Sequence, residues 1–192
     1  MSHEQLWAPW RIAYIQEAAE KAPLDSRPLA FLPDADPHCF LCQGVADVAN
    51  ERQRGVVLRG ARTITLLNRY PYNNGHLLLT PRRHVARLDA LQPEEQLELS
   101  QTLTLMVGVL EKVIRAQGFN VGLNLGKAAG AGLPGHLHWH IVPRWVGDTN
   151  FMPMLANVNV IPQSLDALWE LLTHALETVS KLPSPLTGEG AG

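Results

Sequence analysis

The chain has 192 residues, 46% of them hydrophobic, which suits one domain with a real core, or one domain with arms. The balance of 16 Lys and Arg against 18 Asp and Glu gives no basic field for a large nucleic acid or a membrane surface, yet leaves room for a small anion, which needs only a few donors. No apolar run reaches membrane-spanning length, no signal-peptide pattern opens the sequence, and two cysteines are too few for a disulfide framework, so a reducing cytoplasm is the expected compartment.

Residues 1–38 read as an N-terminal arm rich in Trp, Pro and Ala. Trp7 and Trp10 need a surface to bury against, on the domain or on a second subunit. Residues 23–37 hold Pro23, Pro28, Pro33 and Pro37 and read as a loop. Cys39-Phe40-Leu41-Cys42 follows, with a short helix expected after it. Val56-Val57-Leu58, Thr63 to Leu67 and His76 to Thr80 are short apolar runs bounded by polar or turn residues, the pattern of strands. Tyr70 to Gly75 is the turn between the last two, and Pro81 closes the third.

Pro93-Glu94-Glu95 marks a helix start, with proline in the first turn and acids beside it. Leu97, Leu103, Met106, Leu110, Val113 and Ile114 then recur at helical spacing, and Gly118 is the expected stop. Phe119 to Leu125 reads as a strand, and a Gly/Ala loop from Gly126 to Gly135 leads into another. Residues 143–153 form a loop. Ser164 is placed to cap a last helix with Leu165, Leu168, Trp169, Leu172, Leu176 and Val179 as its apolar positions. From Pro183 onward the Pro/Gly/Ser/Thr composition predicts a disordered tail. The order strands, helix, strands, helix, with short links, implies an α+β fold: an antiparallel sheet with helices to one side.

The chemistry concentrates at Gly135-His136-Leu137-His138-Trp139-His140-Ile141-Val142. Strand alternation puts His136, His138 and His140 on one face and sends Leu137, Trp139 and Ile141 to the core. Imidazoles this close depress one another's pKa, and near neutral pH they serve as nucleophiles, proton donors or metal ligands. Gly130-Ala131-Gly132-Leu133-Pro134-Gly135 matches the letters of a dinucleotide fingerprint, but a strand follows it instead of a helix and Pro134 lies inside it, so that reading is rejected. What remains is a glycine loop whose backbone approaches a ligand closely and whose N–H groups cradle phosphate oxygens. Cys39 and Cys42 have the spacing of half a zinc site, with His84 and His136 as candidates for the other half. A redox pair, two buried apolar cysteines and no metal at all are the alternatives. His76 follows a turn glycine and is placed to help shape a pocket. Asn68 and Asn124 stand at strand ends, where an amide offers both donor and acceptor to a ribose, base or phosphate.

The run from His136 to Val142 resembles the His-x-His-x-His signature of the HIT (histidine triad) family. The likeness extends over roughly residues 39–153. Leu67-Asn68-Arg69-Tyr70-Pro71-Tyr72-Asn73-Asn74-Gly75-His76 to Pro81 resembles the family's nucleoside-side strand, turn and strand. Asn124-Leu125-Gly126, Ala129 to Gly132, Pro143-Arg144-Trp145, Gly147 to Met152 and the Trp7-Ala8-Pro9-Trp10-Arg11 motif are similar to the bacterial branch that contains diadenosine tetraphosphate phosphorylases. The resemblance implies a HIT-like fold of about five antiparallel strands, with a long helix and a C-terminal helix packed on it. It implies a catalytic domain over 39–182 and a homodimer in the cytoplasm, acting on nucleoside polyphosphates with inorganic phosphate as co-substrate.

By the same resemblance, His138 is the nucleophile, His140 contacts phosphate and His136 organises the site. Cys39, Cys42, His84 and His136 would hold a structural zinc, with no organic cofactor. Asn68 lies on the ribose side, and Asn124, Gly130, Ala131, Gly132 and Trp145 are further substrate contacts. Where many hydrolase-branch members carry Gln or Ser in the loop, this chain has Ala131-Gly132-Leu133, so backbone N–H groups of Gly130 to Gly132 are the expected substitutes. The implied reaction is nucleotidyl transfer through a histidine-bound nucleotide, as in an ATP adenylyltransferase. Phosphate as acceptor makes the enzyme a phosphorylase; water makes it a hydrolase. Arg69, Arg144 and Lys127 are the candidate holders of the second anion. Two rivals remain: a hydrolase with zinc on the three triad histidines, and a nucleotide-binding protein without turnover.

Overall fold

The computed structural model describes residues 28–148 and 161–180. Most of the expected arm, the residues Thr149 to Met152 and the tail from Pro183 lie outside them. Five strands form one antiparallel sheet: β1 Val56–Arg59, β2 Thr63–Leu67, β3 Leu77–Pro81, β4 Gly118–Leu123 and β5 Trp139–Arg144, in the order β1-β2-β3-β5-β4. The described helices are α1 Phe40–Ala46, α2 Glu51–Arg54, α3 Pro93–Ile114 and α4 Leu165–Ser180. Among the described residues no helix is long and apolar enough to cross a membrane.

Local chemistry sets the ends of the long helix. Gln92 and Glu95 form a capping box around Pro93, each side chain satisfying a backbone N–H that the first turn leaves unpaired. Glu95 is buried and takes the Arg83 guanidinium on both carboxylate oxygens, at 2.7 and 2.6 Å. The helix ends at Ile114, earlier than the expected stop at Gly118. Arg115 takes the left-handed conformation (φ 53°), and its carbonyl accepts the Trp145 indole N–H at 2.8 Å. Gly118 instead opens β4. The buried stripe of α3 also differs from expectation. Leu99, Thr102, Met106, Val109 and Leu110 face the sheet, while Leu97 is exposed. In α4 the Ser164 hydroxyl accepts the Ala167 N–H, and Leu168, Leu172 and Leu176 are buried.

Helices lie on both faces of the sheet, a correction to the one-sided expectation. Helices α3 and α4 cover one face, over Leu77, Leu79, Leu137 and Ile141. On the other face α1 drives Leu41, Cys42 and Val45 onto Ile64, Leu66 and Leu78. Because α1 is only seven residues long, it leaves the rest of that face open beside β5. The β2–β3 turn closes on Gly75 (φ +76°), where a Cβ would come within 2.7 Å of Ile114 Cδ1. That close approach seats the turn against α3 and fixes where β3 begins.

Candidate active site

His136 and His138 precede β5 in an extended segment tied down by its neighbours. The Leu137 N–H donates to the Val85 carbonyl at 2.7 Å, and the Thr80 hydroxyl donates to the Leu137 carbonyl at 2.7 Å. Alternation holds: Leu137 and Ile141 are buried toward α3, and the imidazoles face the α1 side. The three rings do not converge, however. His136 turns toward the cysteines, while His138 and His140 turn into an open cleft of about 470 Å³. Metal held by all three triad histidines is therefore excluded by ring direction.

Hydrogen bonds assign the tautomers. The Tyr72 backbone N–H donates to His76 Nδ1 at 3.1 Å, so His76 carries its proton on Nε2 and donates it to His140 Nδ1 at 2.9 Å. His140 is left with its proton on Nε2, a buried donor with no partner among the described residues. His138 donates Nδ1–H to the His136 carbonyl at 2.8 Å, which leaves Nε2 as an unprotonated lone pair in the cleft. One ring thus offers a nucleophile, and the ring centred 5.1 Å away offers a proton donor for a developing oxyanion.

His76 is the residue that sequence reasoning undervalued. It is fully buried, and desolvation, with His140 and His138 beside it, holds its pKa down at about 4. Burial and His138 lower His140 as well. The available signal was register: Leu78 pairs with His140, so His76, two residues before Leu78, shares that face. Between its ordinary 6.5 and about 4, the unfolded chain binds this proton and the folded chain does not. Stability should therefore be full above about pH 6.5 and fall as the pH drops toward 4, by up to ~3 kcal/mol. His76→Gln is expected to flatten that part of the profile in denaturant titrations at pH 7 and pH 5. An unchanged slope would remove His76 as its source.

The cleft takes in Asn68, Asn124, Gly130 and Gly132 but neither Ala131 nor Trp145. Asn68 is held in place, its amide donating to His76 Nδ1 and its oxygen accepting the Tyr70 N–H. Trp145 is tied to Arg115 instead. In the glycine loop the Gly130 and Ala131 N–H groups are engaged by the Lys127 and Gly126 carbonyls, so the expected three-donor cradle is reduced to the Gly132 N–H. Phe40, Leu66, Leu78 and Leu133 supply an apolar wall, with Tyr72 over His140 at 5.7 Å between ring centroids. Such a wall beside convergent polar groups suits a small organic anion. Tyr72 and Leu78 fall in the stretch marked by resemblance as the nucleoside side, whereas Phe40, Leu66 and Leu133 read as ordinary core or turn residues until the strands pair. Arg144 is bound twice by Asp148 and is not available to an anion, whereas Arg69 lines the cleft.

Behind the nucleophile, Cys39, Cys42, His84 and His136 bring one ligand atom each within 4.8 Å of one another. His136 Nδ1 is 3.4 and 3.5 Å from the two sulfurs, and His84 Nδ1 is 3.2 Å from Cys42 Sγ. Tetrahedral zinc bonds of roughly 2.0–2.3 Å place ligands at separations of about this size. His136 donates Nε2–H to the Pro81 carbonyl at 2.9 Å, which turns the Nδ1 lone pair to the sulfurs. The cluster can hold a metal, and its two-sulfur, two-nitrogen donor set fits zinc.

In comparisons with known proteins, residues 49–146 match a family model described as the HIT domain. The chain is 40% identical over 162 residues to an AP-4-A phosphorylase of Mycobacterium tuberculosis, covering 84% of this chain and 78% of that protein. It is 37% identical over 93 residues to an asymmetrical bis(5'-nucleosyl)-tetraphosphatase of Schizosaccharomyces pombe, covering 48% of this chain and 50% of that one. The fold matches a Zn-bound histidine triad family protein from Mycobacterium smegmatis, with a TM-score of 0.60 and 24% identity over 74% of this chain and 96% of that one.

Proposed function

The chain belongs to the HIT domain family, and on that premise we propose that it phosphorolyses diadenosine tetraphosphate to ATP and ADP through a histidine-bound nucleotide. The observation that carries this reading is the paired tautomer state: a free His138 Nε2 lone pair next to an unpartnered His140 Nε2–H. His138 attacks the α-phosphorus, a P–N bond forms, and the P–O bond to the departing ATP breaks. The His140 N–H and the Gly132 N–H hold the phosphoryl oxygens as charge shifts onto them. An oxygen of inorganic phosphate then attacks the same phosphorus, the P–N bond breaks, and ADP leaves with His138 restored. Covalent capture replaces one difficult displacement with two easier ones.

Zinc, when bound, supplies charge that holds both thiolates and the ring of His136 in place, and thereby the carbonyl that orients His138. Asn68 and Asn124 face the bound nucleotide. The likeness to the mycobacterial AP-4-A phosphorylase over most of both chains favours phosphate as the acceptor. We further assign a homodimer in the cytoplasm. Among the described residues no strand pairs with the outer edge of β4, where Val121 is exposed, and such an edge supports pairing with a second copy.

Product analysis tests the acceptor. With diadenosine tetraphosphate and labelled inorganic phosphate, label is expected in ADP, with turnover dependent on phosphate. AMP and ATP formed at the same rate without phosphate would make the chain a hydrolase.

A further inference from the structure

Two polar side chains line the cleft away from the histidines, and the phosphoryl chemistry does not use them. On the α1 face of the sheet, register sets a row of His140, Leu78, Leu66 and Val56, one residue from each of β5, β3, β2 and β1. Neighbouring strands lie about 4.8 Å apart, so the backbones of His140 and Val56 are on the order of 14 Å apart. The His138 ring is centred 5.1 Å from that of His140, at the β5 end of the row. Arg54 ends α2 two residues before Val56, at the β1 end, and Gln43 follows Phe40 by three residues on the same side of α1. Both line the cleft. Between the two ends the floor is Leu78 and Leu66, apolar surface against which a flat ring can lie.

Gln43 and Arg54 are held by each other and by their neighbours. Arg54 Nε donates to the Asp47 carboxylate at 2.9 Å, and Arg54 Nη1 donates to Gln43 Oε1 at 2.9 Å. Gln43 Nε2 donates to the Pro37 carbonyl at 2.8 Å, which fixes the way the amide faces. Asp47 is buried and also accepts Asn50 Nδ2 at 2.7 Å. The Arg54 charge is therefore met within the protein, and this end of the cleft suits a neutral polar group rather than a second phosphate. Two hydrogen-bonding positions remain. Arg54 Nη2, which the planar guanidinium holds beside Nη1, donates to no partner among the described residues, and Gln43 Oε1 keeps a second lone pair. One donor next to one acceptor is the complement of a ring nitrogen next to an exocyclic amino group.

We propose that Gln43 and Arg54 read the edge of the base, so that the cleft prefers a 6-aminopurine nucleotide to a 6-oxopurine one. This rests on the nucleotide reading of the cleft. Adenine offers its N6–H to Gln43 Oε1 and the neighbouring ring nitrogen to Arg54 Nη2. Hypoxanthine puts a carbonyl oxygen where the amino donor was, and that oxygen faces Gln43 Oε1 lone pair to lone pair. Titration calorimetry on the full chain would compare AMP with inosine 5′-monophosphate. AMP is expected to bind about tenfold tighter. Gln43→Met removes the acceptor and leaves Arg54 on Asp47, and Arg54→Lys keeps a charge beside Asp47 but loses the fork. In each variant the ratio of the two affinities should fall toward one. The ratio is taken within one protein, so a general loss of stability does not move it, and Gln43→Met carries the test alone if Arg54→Lys does not fold. A ratio near or below one in the unaltered protein, or a ratio that either folded variant preserves, overturns the reading of the base edge while leaving the nucleotide site intact. Failure of AMP itself to bind overturns both.

Discussion

Replacing His138 with alanine is expected to lower turnover of diadenosine tetraphosphate by roughly 10,000-fold or more, equivalent to about 5 kcal/mol of transition-state stabilisation. The size follows from the role: without the imidazole no P–N bond forms, and the remaining donors hold a substrate that nothing attacks. The exchange leaves the His136 carbonyl without its N–H partner but does not touch the main core, so the variant should fold. His138→Gly opens a space that added imidazole fills, and partial rescue is expected. A rapidly quenched reaction of the unaltered enzyme should carry the mass of one AMP on the peptide containing residues 136–144. Wild-type rates from His138→Ala, or substrate consumed with no such adduct in a slow analogue, would end the covalent mechanism.

The second large effect concerns the metal cluster. Burial pushes the Cys42 thiol up to about 11, with Cys39 beside it adding to the rise, so a thiolate there requires a cation. Purified protein should hold about one zinc per chain, and a strong chelator should cost several kcal/mol of stability, lowering Tm by on the order of 10 °C or more. Cys42→Ser should reproduce that loss and abolish any further response to chelator. The chelator comparison separates metal loss from the packing change of the substitution. Because the His136 carbonyl fixes the tautomer of His138, kcat should fall with the metal more than KM rises. A protein free of stoichiometric metal, with a Tm indifferent to chelator, would exclude the structural role.

Much of the architecture was legible as local rule. Short apolar runs bounded by turn residues marked β2 and β3, Pro93 with its acids marked the start of α3, and Ser164 marked α4. Errors came where a distant contact outweighed the local signal. Leu97 fits a helical stripe on paper, yet the sheet lies against the Leu99 side. Gly118 reads as a helix stop, but Arg115 takes the left-handed turn first, with its carbonyl bound by Trp145 thirty residues later. Trp145 was legible only as a resemblance, and the structure keeps it out of the cleft.

By itself the sequence determined that this is a HIT-type α+β chain and that three imidazoles share a face. Alternation and capping depend only on neighbours a few residues apart. Tertiary structure decided what each imidazole does, since a ring's direction and proton position are set by its partners. Those partners are remote: Cys39 is 97 residues from His136, His76 is 64 from His140, and Pro81 is 55 from His136. The fold therefore divides the triad, turning one histidine to the thiols and two to the cleft, and adds His76 as a fourth. It also pairs Arg144 with Asp148, while Arg69 meets the Gln53 carbonyl and no carboxylate among the described residues, a distinction that two arginines written in a sequence do not carry.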